Sequence, residues 1–290
     1  MRQKRGIGVP SEPFRYTSLD EVKDKAAALG VVLPLSGEPA VLGQSLDAAG
    51  YRLANRLVIQ PMEGCDGTPD GSPGELTRRR YRRFAESGAG LIWAEAVAVV
   101  PEGRANPRQL MLTRANLDAF KRLTEDIREW AVRATGRVPV LVMQATHSGR
   151  YSKPEGKPAP RIACPNPLFE KDPPLPASCV LSDDELRILP ERYAASARLA
   201  AEAGFDGVDI KACHRYLLSE LLAAHTRKGP YGGSYENRTR LLLEAVRAAK
   251  AAVPGRTFIT SRLNVYDGFP YPYGWGVSSE GGIEPDLDEP

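Results

Sequence analysis

Cysteine is scarce in this chain: Cys65, Cys164, Cys179 and Cys213 are the four present in 290 residues, and no two of them have C-x-x-C spacing. A disulfide scaffold is excluded at this length, and reduced thiols in the cytoplasm are the default. No apolar run approaches the length of a membrane span. The basic start Met1–Arg5 resembles the opening of a signal peptide, but Pro10, Ser11 and Glu12 interrupt any apolar region behind it. Charge of one sign is also lacking. The net charge is +3 and the signs alternate, apart from Arg78–Arg80 and Arg82–Arg83 within one helical pattern, so no concentrated basic face points to nucleic acid. No H-x-H or H-E-x-x-H spacing occurs, and no G-x-G-x-x-G follows a predicted strand, which argues against a dinucleotide-binding Rossmann domain.

What is present is 42% hydrophobic and 26% charged, enough for a large core. Residues 1–55 carry one predicted helix, Ser18–Leu29 with Gly30 as its stop, and a loose Gly/Pro segment; they are expected to close the bottom of the fold that residues 56–290 build. From there, strands and helices alternate. Leu57–Pro61 is a predicted strand, then a glycine-rich loop leads into a charged helix through Leu76, Tyr81 and Phe84. Leu91–Val99 is nearly all apolar, as for a strand covered on both faces. Leu117, Phe120, Ile127 and Ala131 recur at helical spacing, and Val138–Gln144 is the third strand. A proline-rich stretch, 145–181, is expected to shape a pocket mouth. A helix from Ser182 to Gly204, a strand at Val208–Ile210, a helix through Leu242, Val246, Ala249 and Val253, and a strand at Thr257–Leu263 complete the pattern.

Five strands, four of them followed by a helix, predict an α/β fold with a parallel sheet wound one way. In a (β/α)₈ barrel the chemistry sits at the C-terminal ends of the strands. Those ends here carry Glu63, Glu95, Gln144, His147, Lys211, His214 and Arg262. The stretch Gly207–Arg240 organises the rest, because its short strand delivers Lys211, His214 and Tyr216, three proton-donating side chains within six residues.

NRLVIQPM from Asn55, GLIWAEA from Gly90, EGR from Glu102, VMQATHSGR from Val142, CHRYL from Cys213, YGGSYENR from Tyr231 and TSRL from Thr260 together resemble the Old Yellow Enzyme family of flavin oxidoreductases. These are FMN-binding (β/α)₈ barrels that include enoate reductases, dienoyl-CoA reductases and trimethylamine dehydrogenase. The resemblance implies that Pro61, Met62 and Glu63 face the flavin, that Ala96 packs at its edge, that Gln144 hydrogen-bonds its pyrimidine and that Arg262 lies against N1 and C2=O. It implies NAD(P)H as electron donor. Lys211 and His214 would hold a substrate carbonyl while Tyr216 protonates the α-carbon of an activated alkene.

Two departures bear on the substrate. The family's usual His-x-x-His or His-x-x-Asn frame reads Lys211-x-x-His214, and Glu63 stands where relatives often have Thr or Cys. A third concerns extent. Only Asn264–Pro290 follows the fifth strand, whereas each further βα unit needs roughly 25 to 30 residues. The expectation is therefore a partial barrel, truncated after the fifth strand, that lacks the family's phosphate-binding amides and leaves strand edges open to homo-oligomers. Other readings are a flavin-dependent amine or alcohol dehydrogenase, a metal-dependent hydrolase using Glu63, Glu95, His147 and His214, and an inactive fragment. A small-molecule substrate is expected, with no metal, no nucleic acid and no membrane.

Overall fold

The structure, a computed structural model, describes residues 13–170 and 172–290; the basic start and Pro10, Ser11 and Glu12 lie outside the described residues. The chain divides into a small unit ending at Gly43 and a large one, Gln44–Pro290. The small unit holds α1 (Leu19–Ala28), whose cap Ser18 accepts the amide of Glu21, and a short α2 (Ala40–Gly43).

The large unit opens with an antiparallel hairpin, β1 (Leu46–Ala48) and β2 (Tyr51–Leu53), which sequence reasoning read as a loose segment. Its turn places Ala49 at φ 51° and Gly50 at φ 79°. Tight hairpin turns of matching twist need positive φ at both central residues, and an alanine at the first conceals the usual Asn-Gly signal.

Five parallel strands follow, joined to their neighbours in chain order: β3 (Val58–Ile59), β4 (Leu91–Ala98), β5 (Val140–Thr146), β6 (Gly207–Ile210) and β7 (Phe258–Thr260). The connections run through α3 (Glu75–Glu86), α4 (Leu117–Thr135), α5 (Asp183–Arg187), α6 (Leu189–Glu202), α7 (Leu217–Leu222) and α8 (Tyr235–Ala252). The fold is thus α/β, with five consecutive strands of a TIM-type barrel wall and β3 and β7 as its outer strands. The predicted helix from Ser182 to Gly204 is two helices that meet at Ile188, because Pro190 sits in the first turn of the second and has no N–H to continue the first. No helix among the described residues is long and apolar enough to cross a membrane.

Alternation sorts the strand residues. Ile92, Leu141, Met143, Val208 and Ile210 belong to the same core as Phe120, Leu123, Ile127, Tyr193 and Ala197 of the helices. The alternate residues point inward. Across the strands, Trp93, Val142, Gly207 and Phe258 are in register, with Ala96, Gln144, Asp209 and Thr260 as the row nearer the C-terminal ends. Gly207 is dictated by packing, since a Cβ there would meet the Phe258 ring at 2.4 Å. Below these rows, Ala48, Ala49 and Leu53 of the hairpin and the inner residues of the strands line an apolar cavity of about 300 Å³.

Beyond the end of β5 at Thr146, the stretch to residue 181 is irregular apart from two single 3₁₀ turns and one bridge between Ile162 and Val180, and a largely buried arginine side chain ties it down. Arg150 Nε donates to Glu220 Oε1 of α7 at 2.8 Å and Nη1 to Glu170 Oε1 at 3.1 Å, while the Ala163 amide donates to Glu220 Oε2 at 2.9 Å.

Candidate active site

Two strands lie between β3 and β6, yet Lys211 Nζ, at the C-terminal exit of β6, donates to Glu63 Oε1 at 3.2 Å. Neighbouring strands lie about 4.8 Å apart, so such a bridge requires a curved sheet with both side chains reaching across the concavity. Tyr216 Oη donates to the same Oε1 at 3.0 Å, and Lys211 Nζ lies 3.9 Å from the centre of the Tyr216 ring. Lys211 is 3% exposed and Glu63 17%, so the pair sits at a mouth rather than in bulk solvent. Burial, and then the Glu63 charge, raise the Tyr216 phenol well above its ordinary value. Tyr151, from the irregular stretch, stands beside it with ring centres 5.9 Å apart.

His214 is not in this hydrogen-bonded group. It lies exposed in the turn that leaves β6, at φ 61°, with Arg215 following at φ 55°. Although the residue as a whole is exposed, partial desolvation of its ring, and then the charges of Lys211 and Arg262, hold its imidazole below the usual range, so that the neutral form, which donates one N–H, is favoured at pH 7.

Glu95 explains why Glu63 stands where it does. The β4–β5 register slips between Ala94 and Ala96, making Glu95 an extra residue in a bulge. Its carboxylate reaches the loop after β3, accepting the Gly64 amide at 2.9 Å and Arg80 Nη2 at 2.8 Å, and Arg80 Nη2 also binds Asp66 Oδ1 at 2.8 Å. A buried carboxylate held by an amide and a guanidinium fixes the backbone next to Glu63. Pro61 is buried, whereas the Met62 side chain is 70% exposed.

Deeper in, Gln144 Nε2 donates to Asp209 Oδ2 at 2.5 Å. Trp93 Nε1 donates to the same oxygen at 3.1 Å, and the Arg262 amide to Oδ1 at 2.6 Å. Asp209 and Trp93 were missed by sequence reasoning. The signal was available: in a strand, Asp209 shares a face with Lys211, so an acid in the apolar run GVDI had to point inward. Ala96 is fully buried, with its carbonyl accepting from Gln109 Nε2 at 3.2 Å. The Arg262 guanidinium is half-buried and has no carboxylate partner among the described residues.

The four groups of the hydrolase reading do not converge. Glu63 serves Lys211 and Tyr216, Glu95 serves Arg80 and Gly64, and the Nδ1 of buried His147 accepts the Gly149 amide at 3.0 Å. Among the described residues no three His, Cys, Asp or Glu side chains could hold a metal ion.

Residues 45–271 match the NADH:flavin oxidoreductase / NADH oxidase family. An NADPH dehydrogenase of Bacillus pumilus is 31% identical over 224 residues, 75% of this chain and 62% of that one, so this chain spans less than two thirds of that relative's length. Among solved structures, Old Yellow Enzyme from a Pichia species is similar at TM-score 0.66 and 26% identity over 79% of this chain and 61% of that one. Morphinone reductase in complex with tetrahydroNAD is similar at TM-score 0.61 and 29% identity, covering 76% and 63%.

Proposed function

The chain belongs to the NADH:flavin oxidoreductase / NADH oxidase family, and from that premise we propose that it is an FMN-dependent oxidoreductase that uses NAD(P)H to reduce an activated alkene, an α,β-unsaturated carbonyl compound. The observation that carries this reading is the meeting of Lys211 and Tyr216 on Glu63 across the mouth of the curved sheet. The residues present fit the cofactor. Exposed Met62 offers an apolar, polarisable surface for a flat ring, Gln144 offers an amide, and the unpaired Arg262 guanidinium offers a fixed cation where negative charge would collect. When bound, FMN supplies hydride transfer between nicotinamide and the alkene carbon.

The chain's own residues do the rest. Lys211 has three N–H donors and Glu63 occupies one, leaving two for a carbonyl oxygen. Neutral His214 adds a donor from the turn above. Tyr216 turns its O–H from Glu63 to the substrate and gives its proton to the α-carbon. The four cysteines are all free thiols, which fits a reducing compartment such as the cytoplasm. In the FMN-loaded protein, stopped-flow absorbance should show Tyr216→Phe reduced by NAD(P)H at the normal rate and reoxidised slowly by an enone. Equal impairment of both half-reactions refutes the role of Tyr216.

One observation favours a second reading. Glu63 brings only acceptors to the mouth, so an amine or alcohol carrying its own N–H or O–H would find a partner there and be oxidised. Turnover of an amine or alcohol with a dye acceptor, together with none of an enone with NAD(P)H, selects it.

A further inference from the structure

Asp209 is 0% exposed and lies in the middle of β6. A buried carboxylate is costly unless hydrogen bonds compensate it, and here three neutral N–H groups do so. They come from β4 (Trp93 Nε1), β5 (Gln144 Nε2) and the segment leaving β7 (the Arg262 amide). Burial alone would drive the acid towards its neutral form, and these three donors, first Gln144, oppose that. One side chain thus joins the two residues proposed above to meet the flavin.

Resting on the FMN reading, we propose that Asp209 is a positioning residue that fixes the orientation of the Gln144 amide, so that the site reads its ligand through an N–H of the ligand. A carboxylate only accepts, whereas a glutamine amide has a donating and an accepting end. At 2.5 Å the Gln144 end facing Asp209 must be the NH₂. Its carbonyl, Oε1, is therefore the free end, and it asks for a donor. The imide N–H of a flavin pyrimidine ring is such a donor, and a ring alkylated at that nitrogen is not. Trp93 braces the carboxylate from below, because its indole N–H occupies the same Oδ2 and holds it on the Gln144 side. An asparagine at 209 would keep the shape but could offer Gln144 either an acceptor or a donor, so the amide would be free to invert.

The test is a fluorescence titration of the full 290-residue chain with riboflavin and with its N3-methyl analogue, which carry the ring without the phosphate. The unsubstituted protein is expected to bind riboflavin about tenfold more tightly, the effect of leaving one buried acceptor unpaired. Asp209→Asn is expected to bring the ratio to within about threefold while retaining binding and a native circular dichroism spectrum. If Asp209→Asn does not fold, Gln144→Met removes the reading group while Asp209 keeps its Trp93 and Arg262 donors, and it too should collapse the ratio. Binding of both flavins by the unsubstituted protein with equal affinity overturns the inference, as does a tenfold ratio that survives either substitution. Failure of the unsubstituted protein to bind either flavin overturns the FMN reading and this inference with it, so the two failures are told apart.

Discussion

The floor and the mouth of the concave face each turn on one carboxylate. Asp209, on the floor, is sealed from solvent and compensated by neutral N–H donors fixed in three other parts of the sheet. Glu63, at the mouth, is 17% exposed and held by the tips of two long or rotatable side chains, Lys211 and Tyr216. The floor is committed, since moving any donor would strand a buried charge. The mouth is more exchangeable, because Glu63 is within reach of water and a ligand oxygen can take its place as acceptor for Lys211 and Tyr216. The proposed flavin site would use both: a rigid seat for a ring, and donors that can leave one acceptor for another as substrate arrives.

The largest expected effect breaks the floor. Asp209→Leu leaves the Trp93, Gln144 and Arg262 donors unsatisfied together, at roughly 1 to 3 kcal/mol each, so urea denaturation should show a loss of about 3 kcal/mol or more. Glu63→Gln, which keeps an acceptor for Lys211 and Tyr216 at a position within reach of solvent, should cost less than Asp209→Leu in the same assay. Equal losses would erase the distinction between floor and mouth. Next comes Tyr216→Phe, expected to slow the oxidative half-reaction by about 10²–10⁴ while leaving protein stability nearly unchanged.

A histidine and a tyrosine sharpen the same contrast. Burial, with help from the Arg161 charge, pushes His147 from 6.5 down to about 4. Between those values the unfolded chain holds more protons than the folded one, so stability is complete above pH 6.5 and falls as the pH drops towards 4. The total loss is about 3 kcal/mol. Urea melts at several pH values should show this slope, and His147→Gln should flatten it. The smallest effect belongs to the mouth. Because the Glu63 charge helps to raise the Tyr216 phenol, Glu63→Gln should lower the midpoint of one tyrosinate transition in an ultraviolet pH titration. An unmoved spectrum would mean that the hydrogen bond to Glu63 does not persist in solution.

Much of this was legible along the chain. Apolar runs of strand length alternating with 3.6-residue periodicity marked the five strands and their main helices, because both signals are local. The parallel, one-way winding followed from crossover geometry, and with it the rule that polar residues at strand ends share one rim. The hairpin at Leu46–Leu53 escaped because its turn uses Ala49, and the break at Ile188 because one proline in a helix start reads as part of that helix.

By itself, then, the sequence determined the order of the βα units and the inventory of donors at the rim, both of which depend on local spacing along the chain. Only the tertiary structure decided which groups meet. Glu63 and Lys211 are 148 positions apart, and their contact depends on the curvature of the sheet. Glu95 faces the β3 loop because a bulge gives β4 one residue too many against β5. Trp93, Gln144 and Arg262 converge on Asp209 because strand register aligns them. Curvature, bulge and register are properties of several strands packed at once, and no single stretch of chain encodes them.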